Sequence, residues 1–474
     1  MPTAVKGRVS SRKAPAPAHV PGTDPTPDQR IGSATLSLLT LGGVMGSGLF
    51  LASAQAIHLA GPGVALAYAI GAGAMALEVM ALAEMSAADP ARGSFLTYAR
   101  RAIGPSLAFI GGWIFWLSSI LNLAAEATAA GTFVRLWLPH TPLYVFTMGA
   151  ALAITGLNFL PLSNFDRVES GMSMLKIAAV GLFVVVGALA LFGLVRHGAV
   201  PGLTADHGLF PHGAHGVAAA MTVVMFSMSG TGVLGLAAAT VRNPSHAIPR
   251  SIGPSVAVVA AFYILSSLVI AGLTPWQSLS TASVSPFVKA LGVLPWPWAG
   301  SVLNAVLIVA VLSAMTAGLF ATDRVLASLA RIGDAPAVLH PARESAPTVA
   351  NAVTGVVLVA VAGVSYLLPK TAFLMLVTAT SYQALFIWIL IVVTHVFYRR
   401  WLERHEPERL RYRVPLYPYL SLFEVALLLA IIATAPLAPK QVAALGVAVG
   451  VTGLIALLYL PVRAARGRRR TAPA

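Results

Sequence analysis

The sequence Gly42-Gly43-Val44-Met45-Gly46-Ser47-Gly48-Leu49-Phe50 lies inside the first long apolar stretch of the chain. Four of its first seven residues are glycine, and each glycine in a helix interior costs about 1 kcal/mol relative to alanine in water. At membrane depth an interrupted helix is tolerated where the freed backbone groups find partners or line a cavity. Two interpretations are open: the glycines break a membrane helix at a binding site, or they only let two helices approach closely.

The composition is that of a polytopic membrane protein. Of the 474 residues, 57% are hydrophobic and only 10% are charged, and the mean hydropathy is +0.81, whereas soluble domains are about 25% charged. The net charge of +15 does not indicate nucleic-acid binding, because the basic residues lie in short loops and at the two ends. The chain has no cysteine, which excludes a disulfide framework, a thiol nucleophile and a cysteine metal site.

Apolar runs of about 20 residues or more predict an all-α membrane protein with twelve transmembrane helices. The predicted spans are 31–55, 61–86, 105–137, 141–161, 165–196, 214–241, 250–273, 297–322, 346–367, 371–398, 414–435 and 440–462. The polar, proline-rich segment 1–30 is predicted to be a disordered cytoplasmic tail without a cleaved signal peptide, 31–462 the transmembrane domain, and 463–474 a basic cytoplasmic tail.

The distribution of Lys and Arg predicts the orientation of these spans. Twenty-five of the 31 basic residues lie in the two tails and in the loops of one side, five lie in the opposite loops, and Lys176 falls inside a span. Cytoplasmic loops carry the excess of Lys and Arg. With an even number of spans, both termini are therefore predicted to lie in the cytoplasm.

A second glycine-containing interruption occurs in the sixth span, at Ser227-Met228-Ser229-Gly230-Thr231-Gly232. Interruptions at corresponding positions of two five-span halves indicate a binding site between inverted repeats. The repeats are predicted at about 31–196 and 214–398, and helices eleven and twelve, at about 414–462, lie outside them. This pairing favours the functional interpretation of the first interruption.

Five motifs, in chain order, give the sequence its resemblance to a known family: GGVMGSGLF (42–50), AEMSAADPARGSFLTYA (83–99), AEATAAG (125–131), SGTGVLGLAAATVRNPSHAIPRSI (229–252) and ATDRVLASLARIGDAP (321–336). They resemble motifs of amino-acid permeases of the amino acid–polyamine–organocation superfamily, in its amino acid transporter branch. The resemblance implies a LeuT-like fold of five plus five inverted-repeat helices with broken helices 1 and 6. It also implies secondary transport of amino acids. Two family glutamates are replaced here, by Gly232 and Thr240, which leaves proton coupling through span six and the substrate range open.

Lys176 lies at the centre of the fifth span, where a lysine costs about 2.5–3.5 kcal/mol on insertion scales and usually faces the protein interior. The alternative is that its side chain extends to an interface, but Lys176 is more than two turns from Arg167. By resemblance to sodium-independent relatives, the lysine substitutes for a sodium ion, and the matching position in span eight is Ser313. We expect the ammonium to contact the first break near Gly43 and Val44, and its deprotonation to loosen that contact during transport.

Glu126 lies among small residues in span three, where an isolated acid needs a partner or a proton. The resemblance associates it with the substrate pocket and possible proton coupling; a purely structural acid is the alternative. Phe226 immediately precedes the second break, and by resemblance it closes over the substrate, although packing alone also accounts for an apolar ring. The predicted substrate-binding residues are Val44, Met45, Gly46, Ser47, Gly48, Glu126, Phe226, Ser229, Gly230 and Thr231.

Within this set, the amides of Ser47 and Gly48 are predicted to hold the substrate carboxylate. The carbonyls near Val44 and Phe226, with the backbone of 229–231, are predicted to hold its ammonium group.

Three further acids lie in spans. Glu84 lies near the cytoplasmic end of span two, close to Arg92, Arg100 and Arg101, and is predicted to be a gate or part of a structural ion pair. Glu78, six residues away, receives no role, and Glu424 is interpreted as structural. The outer-loop residues Asp206, His207, His212 and His215 do not have the spacing of a common metal site, and no metal or cofactor is expected.

The sequence therefore predicts a monomeric, proton-coupled amino-acid permease of the cell membrane that works by alternating access. An exchanger of amino acids or amines without net proton drive is the alternative within the same class. An integral membrane enzyme is not favoured, because the sequence lacks the clustered polar residues and the nucleotide or hydrolase motifs that such an enzyme would need. A channel would differ in showing fluxes that do not saturate.

Overall fold

The computed structural model describes residues 33–89, 95–160, 165–195, 200–204, 208–231, 244–279, 284–340, 348–438 and 441–471. Within these ranges the chain is helical, without strands. Because no water is available in a bilayer to pair with backbone groups, helices satisfy them internally. Large apolar side chains lie exposed on the outer faces of several helices, for example Leu182 and Leu457, as expected for surfaces that contact lipid.

The helices of the first half begin with a broken pair. Helix α1 is Ser33–Val44, and after a bend at residues 45 and 46 a π-helical turn, Gly48–Ala52, leads into α2, Ser53–Ala60. Interruptions of this kind often occur at functional sites. The remaining helices of this half are α3 (Val64–Ala88), α4 (Phe95–Ala102), α5 (Pro105–Val134), α6 (Leu143–Leu157) and α7 (Phe165–Leu191).

The second half repeats this pattern from a second broken span. Helix α8 (Gly213–Met228) ends in a 3₁₀ turn at Ser229–Thr231. The later helices are α9 (Pro244–Leu273), α10 (Pro286–Ala290), α11 (Ala299–Arg331), α12 (Thr348–Ala362), α13 (Val364–Leu367), α14 (Ala372–His405), α15 (Tyr419–Ala433) and α16 (Gln441–Thr471). Gly232 and Thr240, which replace the two family acids, lie outside the described residues.

Corresponding spans of the two predicted repeats pack against each other. The second half of the first span, α2, packs on α8; the second span, α3, packs on α9; and the third, α5, packs on α11. Helix α1 contacts both α9 and α7. The two broken spans therefore lie side by side at the centre, enclosed by α5, α7, α9 and α11.

The predicted spans agree with the helices except at their ends. The first span continues to Ala60, because the chain first turns at Gly61, whose φ of +60° favours glycine. Helix α4 and the short α10 were not predicted. By length and composition, the described part holds nine candidate membrane spans, one of them Gly48–Ala88, and two shorter apolar helices, Leu143–Leu157 and Gly213–Met228. The number of twelve crossings stays a prediction.

Candidate functional site at the two helix breaks

The two broken spans touch through their backbones. A Cβ atom placed on Gly48 would lie 2.6 Å from Ser227 Cα, and one placed on Gly230 would lie 2.7 Å from the carbonyl carbon of Gly43 and 2.8 Å from Val44 Cα. Ser227 Oγ–H donates to the Gly48 carbonyl at 3.1 Å. The glycines thus serve both interpretations, because the helix is broken at this point and the two breaks also approach more closely than side chains would permit.

Glu126 binds the first break. Its side chain, 4% exposed on α5, accepts the Ser47 backbone N–H at 2.9 Å on each carboxylate oxygen and the Ser47 hydroxyl at 2.9 Å. A Cβ on Gly46 would lie 2.9 Å from Glu126 Cδ, so the glycine makes room for the acid. The amide that was predicted to hold a substrate carboxylate is therefore bound here by a carboxylate of the protein itself.

Tyr263 on α9 joins the two breaks, although it was not predicted from the sequence. Its fully buried hydroxyl lies 3.0 Å from the Val44 carbonyl and 2.8 Å from the Ser227 carbonyl. A hydroxyl has one hydrogen to donate, so the two carbonyls share it. Nothing in the local sequence distinguishes this tyrosine, because its partners are backbone atoms of distant segments. Val44 O, a predicted acceptor of the substrate ammonium, still has a second lone pair.

Replacing Tyr263 with phenylalanine is expected to destabilise the protein, because one buried carbonyl at each break would lose its share of a donor. The cost of leaving a buried polar group unsatisfied is about 1–3 kcal/mol. Thermal unfolding of the purified variant measures this change, and the exposed Tyr366, changed in the same way, is the matched control. Equal midpoints for Tyr263→Phe and Tyr366→Phe would contradict the assignment.

Lys176 lies against the first break, as predicted, but one residue earlier than expected. Its side chain is 1% exposed, and Nζ donates to the Gly42 carbonyl at 3.0 Å. The expected contact partners Gly43 and Val44 follow directly in the chain. A Cβ on Gly42 would lie 2.9 Å from Glu169 Oε1, so glycine at this position lets α1 approach the charged face of α7.

Glu169 connects Lys176 to Ser313, and it was missed in the sequence. Its carboxylate lies 3.8 Å from Lys176 Nζ and accepts the Ser313 hydroxyl at 2.9 and 2.8 Å. Ser313 is thus near Lys176, as predicted, through the carboxylate rather than directly. The signal was present in the spacing, because residues seven apart lie two turns apart on the same helix face.

A cavity of about 80 Å³ lies beside the breaks. Three predicted site residues line it, namely Gly43, Ser229 and Gly230, together with α5, α11, α14 and Glu78. The other described members of the predicted substrate-binding set are buried but are not among its lining residues: Val44, Met45, Gly46, Ser47, Gly48, Glu126 and Phe226. The Thr231 side chain lies outside the described residues. The cavity thus occupies the space that the two breaks, α5 and α11 enclose.

Aromatic rings cover the breaks on the side of the α9–α11 connection. Phe287 of α10 is fully buried, 5.5 Å from the Phe50 ring and 4.5 Å from the Phe183 ring, measured between ring centroids. Ser285 Oγ–H donates to the Phe50 carbonyl at 2.9 Å. Phe226, predicted to close this side, is buried on α8, and its carbonyl accepts the Ser229 hydroxyl at 2.7 Å. The unpredicted α10 supplies a seal on this side.

Glu84 pairs with basic residues that are distant in sequence rather than with the arginines near it in the chain. Its Oε2 accepts Arg399 Nη1–H of α14 at 3.1 Å, and its Oε1 lies 3.2 Å from His395 Nε2. Arg100 pairs with Asp334 at 3.0 Å and Arg101 with Asp89 at 2.7 Å. The predicted ion pair of Glu84 is therefore formed with Arg399 and not with Arg100 or Arg101, because α14, distant in sequence, packs against both α3 and α4. Arg92 lies outside the described residues.

The outer-loop histidines are not brought together around a common centre in the described ranges. His212 Nδ1 lies 2.8 Å from the Leu59 carbonyl, and its ring packs on Trp276. Asp206 and His207 lie outside those ranges. His212 therefore contributes to packing at the end of α2.

A helical membrane protein in which two broken spans meet beside a central cavity belongs to the class of secondary transporters. The chain is a member of the amino acid permease family, whose model matches residues 35–473. This result confirms the resemblance and the prediction of a transporter rather than an enzyme.

Individual relatives agree with this assignment. The uncharacterized amino acid permease YtnA of Bacillus subtilis is 32% identical over 404 residues, 83% of this chain and 86% of that protein. The gamma-aminobutyric acid permease of the same organism is 31% identical and covers 90% of this chain and 92% of its own length. The gamma-aminobutyric acid permease of Escherichia coli is 33% identical, with 81% and 84% coverage.

The fold is shared with more distant transporters. The crystal structure of a mutant of the manganese transporter from Eremococcus coleocola superposes with a TM-score of 0.61, covering 91% of this chain and 92% of that one. At 12% identity the likeness concerns the fold alone. It confirms the predicted LeuT-like architecture.

Proposed function

We propose that this permease takes up small zwitterionic amino acids together with protons by alternating access. The observation that carries the proposal is the buried Lys176 ammonium on the Gly42 carbonyl of the broken first span. An ammonium buried at membrane depth is costly and is kept where it serves a pathway or a relay. Loss of its proton removes the charge that holds α7 against α1, so protonation biases two arrangements of these helices.

The substrate class follows from the partners at the breaks. Ser47 N–H and Oγ–H bind a carboxylate in this structure, that of Glu126, so the same donors suit the carboxylate of an amino acid. Backbone carbonyls at the breaks, and Glu126 once it is displaced, suit an ammonium group. Because relatives are named gamma-aminobutyric acid permeases, we include ω-amino acids among the candidate substrates.

Purified protein in liposomes tests this function directly. Uptake of the twenty amino acids and of γ-aminobutyric acid is measured with and without an inwardly directed proton gradient. Saturable uptake that the gradient accelerates, with alkalinisation outside, is expected. Exchange of internal for external substrate without any effect of the gradient would instead establish the exchanger, and flux that does not saturate would indicate a channel.

Replacing Glu126 with glutamine is expected to change both pH dependence and substrate range. Glutamine removes the negative charge but keeps one oxygen that can accept the Ser47 N–H. Its NH₂ group, which replaces the second oxygen, cannot accept a hydrogen bond from the Ser47 hydroxyl. We expect the apparent affinity to fall about tenfold or more, as for the loss of a charge-assisted hydrogen bond of about 1.5–3 kcal/mol. Uptake with unchanged pH dependence and unchanged substrate preference would contradict a role of Glu126 in binding; Glu408→Gln, at an exposed acid, is the control.

We also propose that the protein functions as a monomer in the cell membrane with both termini in the cytoplasm. The support for the orientation is the excess of Lys and Arg in the two tails and in the loops of one side. The monomer is proposed because a single chain supplies both breaks and the lining of the cavity. Because the chain contains no cysteine, single cysteines introduced in the tail 1–30 and in the α5–α6 connection can be labelled with an impermeant maleimide in whole cells. Labelling of the connection alone is expected; labelling of the tail alone would invert the orientation.

A further inference from the structure

Two buried carboxylates that the sequence left without a function lie on helices that pack against each other beside the central cavity. Glu78 of α3 is 0% exposed and lines the cavity, and Glu424 of α15 is 1% exposed. The two helices pack against each other, and the two acids interact electrostatically. Glu424 Oε1 accepts no hydrogen bond from the described residues. A carboxylate oxygen buried in this way is available to share a proton.

Two buried carboxylates that repel each other are unfavourable when both are ionised, because the second charge is repelled by the first and neither is well solvated. Pairs of this kind hold a proton in common and titrate as a unit. At membrane depth, ionisable residues typically belong to proton relays or ion pathways. A proton is therefore the ligand that fits this pair.

The helices packed against the pair bring other titratable groups into the same region. In the described residues these are Tyr68 and Glu84 on α3, Tyr263 on α9, and Tyr382 and His395 on α14, whereas α8 carries His215 and α15 carries the exposed Tyr419 near their ends. Arg399 of α14 pairs with Glu84. Among the buried members, the imidazole of His395 can both donate and accept a hydrogen bond through its two ring nitrogens.

His395 connects the pair towards the cytoplasmic ends of α3 and α14. Its Nδ1 lies 3.3 Å from Ser421 Oγ, and its Nε2 lies 3.2 Å from Glu84 Oε1. Ser421 precedes Glu424 by three residues on α15, so both face the same side of that helix. Glu84 reaches the α14–α15 connection, where its Oε2 accepts the Val414 backbone N–H. Polar groups therefore follow one another from the cavity wall to the cytoplasmic loop.

We propose that Glu78 and Glu424 form a proton-binding site, separate from Lys176, that exchanges protons between the central cavity and the cytoplasmic side through Ser421, His395 and Glu84. Use of this proton during uptake rests on the proposed function. Proton binding by the pair does not, because it is a property of the protein in the absence of transport.

Chemical labelling of the unmodified protein tests the site without any transport assay. Dicyclohexylcarbodiimide reacts with protonated carboxyl groups in apolar surroundings, and mass spectrometry of peptides locates the adduct. We expect labelling at Glu78 or Glu424 at neutral pH, not exceeding one adduct per molecule for the pair and decreasing at alkaline pH. The exposed Glu408, which is not in apolar surroundings, is the internal control. Absence of labelling at both acids at every pH, or adducts on both in one molecule, overturns the shared proton.

The conservative variants test the use of the proton. In liposomes, Glu78→Gln and Glu424→Gln are each expected to lower the number of protons moved per substrate, while exchange of internal for external substrate persists; Glu408→Gln is expected to leave both unchanged. An unchanged proton count in both variants overturns the site. If Lys176→Met leaves proton-driven uptake intact while the pair is labelled as expected, the proposed role of Lys176 fails and the proton site stands.

Discussion

Replacing Lys176 with methionine is expected to lower proton-driven uptake strongly while leaving the protein inserted in the membrane. Methionine keeps the length of the side chain but removes the charge and the hydrogen bond to the Gly42 carbonyl. A hydrogen bond from a charged group contributes about 1.5–3 kcal/mol, and each 1.4 kcal/mol is about tenfold in an equilibrium. We therefore expect gradient-driven uptake to fall about tenfold to a hundredfold.

The measurement compares uptake with and without a proton gradient for Lys176→Met and for Lys289→Met. Lys289 is exposed and donates to Ser278, so its replacement controls for the loss of a lysine. In Lys176→Met, Glu169 loses the ammonium group 3.8 Å away, and an unpaired buried carboxylate could destabilise the protein. The double variant Lys176→Met, Glu169→Gln removes that carboxylate charge as well, so a defect in uptake that it retains is due to lost coupling and not to instability. Full gradient-driven uptake by Lys176→Met would refute the coupling role.

Replacing Gly230 with alanine is expected to inactivate the transporter by separating the two breaks. The added Cβ would lie 2.7 Å from the Gly43 carbonyl carbon and 2.8 Å from Val44 Cα. These are backbone atoms of α1, which cannot rotate away as a side chain can. Overpacking of a well-packed interior costs about 1–3 kcal/mol, and here the displacement falls on the predicted substrate site.

Gly181→Ala on α7 is the matched control, because a Cβ on Gly181 meets no atom within 4 Å. Thermal unfolding of the purified variants and uptake in liposomes are measured together. We expect a lower midpoint and loss of uptake for Gly230→Ala, and wild-type uptake for Gly181→Ala. If the two variants transport equally well, the close approach of the breaks is not needed for function.

The placement of the acids shows where prediction from sequence ended. Glu126 was expected at the substrate pocket, but that it binds Ser47 N–H depends on how α5 packs against the first break. Glu169 was detectable from its spacing to Lys176. Glu78 and Glu424 are separated by most of the chain, and only the packing of α3 on α15 brings the helices that carry them together.

The sequence by itself determined the membrane class, the family, the two breaks and the helix that carries Lys176. These follow from local chemistry. Apolar runs are long enough to cross a bilayer, glycines are disfavoured in a helix interior, and a charge inside the membrane is costly and usually functional. Tertiary structure alone decided which atoms occupy the breaks, namely the Glu126 carboxylate, the Tyr263 hydroxyl and the Lys176 ammonium. The physical reason is that the freed backbone groups of a broken helix are identical at every residue, so which side chain satisfies each one depends on the helices packed around it.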